Sequence, residues 1–171
     1  MKLIGYHGTN NKNLKNINNI NIDYNRGDCF LGKGFYLFRD SFKRAKKWTN
    51  YRNYDEKYVL EVLVDVDEKN LLNFCTTADD EIILKFFRLY EKLCKEFNIY
   101  LGTFIDFLLE EMNIDIKVVM AIDLREKNKH IFFPIEKGEE NSTVFAIGDI
   151  QICIKDKNAI EKINLKEING K

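Results

Sequence analysis

Leu31-Gly32-Lys33-Gly34-Phe35-Tyr36-Leu37-Phe38 is a glycine-rich loop that runs straight into an aromatic and aliphatic strand. Closely spaced glycines mark a loop, and the apolar run after them reads as extended chain. That order matters. Dinucleotide-binding and P-loop motifs place their glycines between a strand and a following helix, and neither GxGxxG nor GxxxxGK[ST] is present. The segment is therefore neither of those nucleotide-binding signatures.

Downstream, Asp40 or Ser41 caps a helix over residues 42–51, with Phe42, Ala45 and Trp48 on one face. Upstream, residues 2–6 form a short strand that ends in His7-Gly8-Thr9. The Asn-rich stretch 10–25 favours turns and short broken helices, because the Asn side chain competes for backbone hydrogen bonds. Residues 58–66 alternate and are β-branched, so they form a strand whose more polar face carries Glu61 and Asp65. Thr77-x-x-Asp80 resembles a capping box ahead of a helix over 81–97, and a second helix covers about 103–112. Strands return at 116–123, 130–135, 143–147 and 150–154, with turns at 126–128 and 138–141, and a short helix is expected at 156–163. Strands, then helices, then strands with short connections predict an α+β domain. Its largely antiparallel sheet carries a helical block at about 78–113, and residues 1–171 form a single domain.

Composition narrows the function classes. Hydrophobic residues at 45% with charged residues at 32% exclude a disordered chain, a fibre or a coiled-coil rod. Lys+Arg and Asp+Glu are both 27, so no long electrostatic footprint is expected; only a local basic patch is left open. Cys29, Cys75, Cys94 and Cys153 form no CxxC pair, and His7 and His130 are the only histidines, so no metal site is expected. Scattered cysteines, no signal-peptide pattern and no membrane-spanning run point to a cytoplasmic protein without a membrane partner.

Three places carry polar groups suited to chemistry. His7 ends a strand and precedes a glycine, where a ligand can approach the backbone. Its imidazole both donates and accepts, which suits a pair of ribose hydroxyls. Tyr36 follows the two glycines of the loop, and its ring is placed to stack on a planar heterocycle. Gln151 lies between Ile150 and Ile152 and shares a strand face with Asp149 and Cys153. Taken singly, each has an ordinary structural reading: a strand-end histidine, a core aromatic, a solvent-facing glutamine.

Together, in this order, the three places resemble the ADP-ribosyltransferase superfamily, in its His-Tyr-Glu branch that includes diphtheria toxin and the poly(ADP-ribose) polymerases. The similarity lies in Tyr6-His7-Gly8-Thr9, in Leu31-Gly32-Lys33-Gly34-Phe35-Tyr36-Leu37, and in Ala45 and Trp48 of the helix that follows. It covers roughly the first 50 residues and resumes at Gln151-Ile152-Cys153-Ile154. Residues 78–113 match nothing in the family.

The resemblance implies a split, mixed and largely antiparallel sheet, and a mono-ADP-ribosyltransferase that uses NAD+ as substrate and no metal. It assigns the adenosine-side ribose to His7, the nicotinamide carboxamide to the Gly8 backbone, and the nicotinamide ring to Tyr36. Thr9, Gly34 and Phe35 join His7, Gly8 and Tyr36 as NAD+-binding positions. The family's glutamate is missing; Gln151 is the best match for its position and Asp149 the second. A neutral Gln151 supplies no charge to a developing cation, which disfavours chain elongation. The acceptor is an unknown protein or nucleic acid, and a toxin or defence effector with an antitoxin or immunity partner is implied by family association. Two alternatives are an ADP-ribosyltransferase-fold binding module with weak or no catalysis, and an RNA 2′-phosphotransferase. The second needs basic residues for RNA phosphates, which a neutral chain does not advertise.

Overall fold

The computed structural model describes residues 1–14, 20, 22, 29–75, 81–97, 100–111, 114–123, 130–134, 142–146 and 149–168. The capping box at Thr77 and Asp80, the turns at 126–128 and 138–141, and most of the Asn-rich stretch lie outside them.

The chain is a mixed α/β protein on a seven-stranded, mostly antiparallel sheet. In chain order, the strands are β1 (Lys2–Asn10), β2 (Phe35–Arg39), β3 (Lys57–Asp65), β4 (Leu71–Asn73), β5 (Val118–Asp123), β6 (His130–Pro134), β7 (Ser142–Ala146), β8 (Asp149–Ile154) and β9 (Ile160–Glu167). The sheet order is β4-β5-β8-β2-β1-β3-β9, and β6 pairs with β7 as a separate ribbon. Among the described strands only β4 and β5 run parallel. The helices are α1 (Asn11–Leu14), α2 (Phe42–Tyr51), α3 (Glu81–Phe97) and α4 (Leu101–Glu111). The helical block at 81–111 thus falls between strands, as the sequence predicts, with β4 before it and β5 after it.

α2 covers the span read from the sequence, and its cap is Ser41, whose hydroxyl accepts the Arg44 amide at 3.4 Å. Ala45 and Thr49 are its buried residues.

Three expectations are corrected. The first strand does not end at His7: β1 runs on to Asn10, because His7, Gly8 and Thr9 stay in the ladder opposite Leu60, Val59 and Tyr58 of β3. The helix predicted at 156–163 is a single 3-10 turn, Lys157–Ala159, followed by β9. β9 pairs with β3 along most of its length, and that ladder outweighs a weak local helix preference. β4 is not expected from the sequence. Three residues carry too little periodicity to be seen, and β4 exists because β5 pairs with it.

Strand register shows what covers each face. Cys153 stands opposite Tyr36, Gln151 opposite Phe38, and Phe38 opposite Tyr6. Because side chains alternate, Tyr6, Gly8, Tyr36, Phe38, Gln151 and Cys153 share one face. α2 packs there over Gly8, and α3 and α4 pack there through Phe86, Phe104, Ile105 and Leu108 against Val119, Ala121 and Cys153. The opposite face buries Leu3, Leu37, Val62, Val64, Met120, Ile152 and Ile154.

Candidate functional site

β1 pairs with β3 from Lys2 to Asn10, but with β2 only at Gly5 and Tyr6. The two strands therefore part at His7. The direction of the backbone groups follows from two bonds. Ile4 O accepts from Asp40 N on the β2 side, and Met1 O accepts from Val66 N on the β3 side. Even-numbered residues of β1 thus turn their amide and carbonyl towards β2. Gly8 presents both groups to the gap between the strands, and no described residue continues the ladder there.

His7 bridges the parting. Its Nδ1 donates to Tyr36 O at 2.8 Å, which occupies a carbonyl that the β1–β2 ladder leaves behind. In the neutral ring that bond fixes the tautomer, with Nε2 as the acceptor. The ring packs on Phe35, with centroids 4.5 Å apart. Thr9 lies on the His7 face of β1 and is buried.

Tyr36 leaves β2 on the opposite face from His7. Its hydroxyl donates to Gly32 O at 2.7 Å and accepts from Leu31 N at 2.8 Å, so the phenol fastens the glycine loop. Burial, and then the neighbouring Cys153, hold the hydroxyl well above its ordinary pKa, so it stays protonated. The His7 and Tyr36 side chains thus stand on opposite faces of the sheet, on either side of the place where β1 and β2 part.

The glycines are set by packing. A Cβ at Gly8 would sit 2.4 Å from Ala45 O, so α2 could not lie where it does. Gly34, at φ +151°, lies against Cys153 Sγ and Ile154 O of β8. Gly32 adopts φ +78°, a left-handed conformation, and lies against Asp106. Asp106 accepts the Lys33 amide at 2.8 and 3.0 Å. Lys155 Nζ donates to Asp106 Oδ1 at 2.8 Å, to Leu31 O at 2.7 Å and to Lys33 O. The loop is thereby held by α4, by the end of β8 and by the Tyr36 phenol.

The third position is more polar than the sequence suggests. Gln151 is only 8% exposed, so it is no solvent-facing residue. Its Nε2 donates to Asp123 Oδ2 at 2.6 Å. Asp123 stands across the β5–β8 ladder from Asp149, and Asp149 forms an ion pair with Arg44 of α2. Two carboxylates, an amide and a guanidinium therefore meet on the Tyr36 face. Asp149 is committed to Arg44. Asp123 brings a negative charge directly beside Gln151.

Asp123, Asp106 and Lys155 were missed in the sequence. A signal existed: each is a single charged residue set into or ending an apolar run, in Met120-Ala121-Ile122-Asp123, Phe104-Ile105-Asp106-Phe107 and Ile152-Cys153-Ile154-Lys155. Such residues are rarely buried without a partner. Among the described residues no cluster of His, Cys, Asp and Glu is placed to hold a metal ion, and no helix is long and apolar enough to cross a membrane.

No protein-family model matches the chain, and no curated protein is significantly similar to it.

Proposed function

We propose that the chain is a mono-ADP-ribosyltransferase of the His-Tyr-Glu type, which breaks the nicotinamide glycosidic bond of NAD+ and transfers ADP-ribose to a macromolecule. One observation carries the reading: β1 and β2 part at His7, and Gly8 turns an amide donor and a carbonyl acceptor into the gap. A primary carboxamide offers the complementary acceptor and donor on one plane, so a single glycine holds it by two bonds. Tyr36 lies on the next strand, where its ring flanks the nicotinamide. His7, oriented through Nδ1, serves the adenosine-side ribose on the other face.

The chemistry follows from that placement. The C1′–N bond breaks and its electron pair goes to the nicotinamide nitrogen. The ribose is left with oxocarbenium character, and an acceptor oxygen or nitrogen attacks C1′ and loses its proton. Gln151 holds a hydroxyl of the nicotinamide ribose. Asp123, bonded to Gln151, supplies the negative charge that Gln151 lacks, close to where positive charge develops. A neutral Gln151 also favours a second reading, an NAD+-binding module with little turnover.

The test is transfer of label from adenylate-labelled NAD+ into lysate fractions, with His7→Ala alongside and free nicotinamide assayed in parallel. Label in one fraction, lost in the variant, supports the transferase. Nicotinamide release without label marks a glycohydrolase. NAD+ binding with neither product selects the binding module.

A further inference from the structure

We infer that α2 is a docking surface for single-stranded nucleic acid, and that the acceptor of the ADP-ribose is accordingly a nucleic acid; the second half rests on the function proposed above. The chain as a whole is neutral, but residues 41–54 contain Lys43, Arg44, Lys46, Lys47 and Arg52 and not one Asp or Glu. Arg44 turns inward to Asp149. Lys43, Lys46 and Lys47 are exposed, as are Asn50 and Tyr51. Their spacing of three, four, seven and eight residues puts all of them on one stripe of the helix. The buried residues Ala45 and Thr49 lie on the other side. Among the described residues no carboxylate pairs with any of these three lysines.

The stripe also has rings. Tyr51 is 79% exposed, one of the most exposed large side chains among the described residues. Its ring stacks on Trp48 with centroids 5.6 Å apart and planes 30° from parallel, and the Arg52 guanidinium lies 6.0 Å from the Trp48 ring centroid. A row of cations beside an exposed aromatic stack suits phosphates and unstacked bases at once. An acidic protein would use the cations and leave the rings idle.

The placement ties this surface to the site. Ala45 of α2 packs on Gly8, and Arg44 reaches the Asp149 carboxylate, two residues before Gln151 on β8. A strand lying along the exposed side of α2 thus runs past the same helix that borders the reacting ribose. Overall neutrality does not argue against this, because phosphate recognition depends on local charge.

Binding is tested on the whole chain without NAD+, by fluorescence anisotropy of labelled single-stranded DNA and RNA of about 12 nucleotides, the span of one small binding domain. Saturable binding that weakens with salt is expected. Lys43→Glu/Lys46→Glu/Lys47→Glu should weaken it at least about tenfold and flatten the log–log salt slope by about 2. Tyr51→Ala should cost about tenfold while leaving the salt slope in place. Polyglutamate should compete poorly. Both variants lie on the surface, and a matched melting temperature establishes that they fold.

Absence of saturable binding at low salt, unchanged affinity in both variants, or equal competition by polyglutamate would overturn the docking surface. With binding present, labelled NAD+ then decides the acceptor. Label in the oligonucleotide supports the inference. Label in protein alone overturns it and leaves the transferase standing. Oligonucleotide binding with no label in any fraction and no nicotinamide release sinks the transferase reading and leaves the docking surface standing.

Discussion

The Asp106 carboxylate on α4 accepts the Lys33 backbone amide through both of its oxygens, across 73 positions of sequence. Lys155 completes the arrangement; its side chain is 7% exposed and that of Asp106 13%. The glycine loop that leads to Tyr36 is therefore held in place by the helical block. That block, unmatched by the family resemblance, has a structural task in this fold.

Asp106→Asn leaves the Lys155 ammonium buried without its counter-charge, so it should destabilise the protein by about 3–5 kcal/mol. Replacing both residues, as Asp106→Leu with Lys155→Met, should cost less than the single change. Chemical denaturation of the three proteins checks this. A single variant within about 0.5 kcal/mol of the parent would remove the anchoring role.

Gly8→Ala should destabilise the fold as well as impair NAD+ binding. The added methyl meets the Ala45 carbonyl and the Thr49 side chain, and overpacking of this kind costs about 1–3 kcal/mol. The urea midpoint is the measurement; an unchanged midpoint would mean that α2 moves away at no cost.

Tyr36→Phe and Tyr36→Ala should separate the ring from the hydroxyl. Phe keeps a stacking ring but leaves Leu31 N and Gly32 O without their partner, which costs about 1–3 kcal/mol of stability and spares much of the NAD+ turnover. Ala should lose turnover altogether. Equal turnover in Phe and Ala variants would remove the stacking role.

Asp123→Asn should lower NAD+ turnover by about 100-fold with NAD+ affinity little changed, because the lost charge acts on the transition state. Gln151→Glu should harm activity at neutral pH, since it places a second carboxylate where the amide now donates to Asp123 at 2.6 Å. Two carboxylates that close share a proton, and the pair holds it to higher pH. Activity of Gln151→Glu should therefore recover as pH rises, and a pH–rate profile parallel to the parent's would contradict the pairing.

Cys153 gives a stability signature at alkaline pH. Burial pushes its thiol up from an ordinary 9.0 to about 12, with Lys155 only partly offsetting it. The folded state thus binds this proton more tightly than the unfolded state. The stability it contributes is complete below pH 9.0 and is lost as pH climbs towards 12. Denaturation midpoints should fall through that window, and Cys153→Ala should flatten the fall. Native Cys153 should also resist alkylation at neutral pH; rapid labelling would overturn its burial.

Much was legible in the sequence because it was local. The glycine loop followed by a strand, a cap at Asp40 or Ser41 with the apolar spacing of α2, and the alternation of β3 are each set by a few neighbouring residues. So was the shared face of Asp149, Gln151 and Cys153. These features follow from backbone sterics and side-chain period, which the chain carries within itself.

The tertiary structure decided what those residues meet. β4 and β9 exist because β5 and β3 offer them a ladder. The parting of β1 from β2 at His7 depends on strands 29 positions apart, joined by His7 Nδ1 and Tyr36 O. The charge beside Gln151 comes from Asp123, 28 positions earlier on a different strand. A carboxylate within hydrogen-bond reach changes the chemistry of an amide, and no local pattern in a sequence brings two such groups together. Only the pairing of strands does.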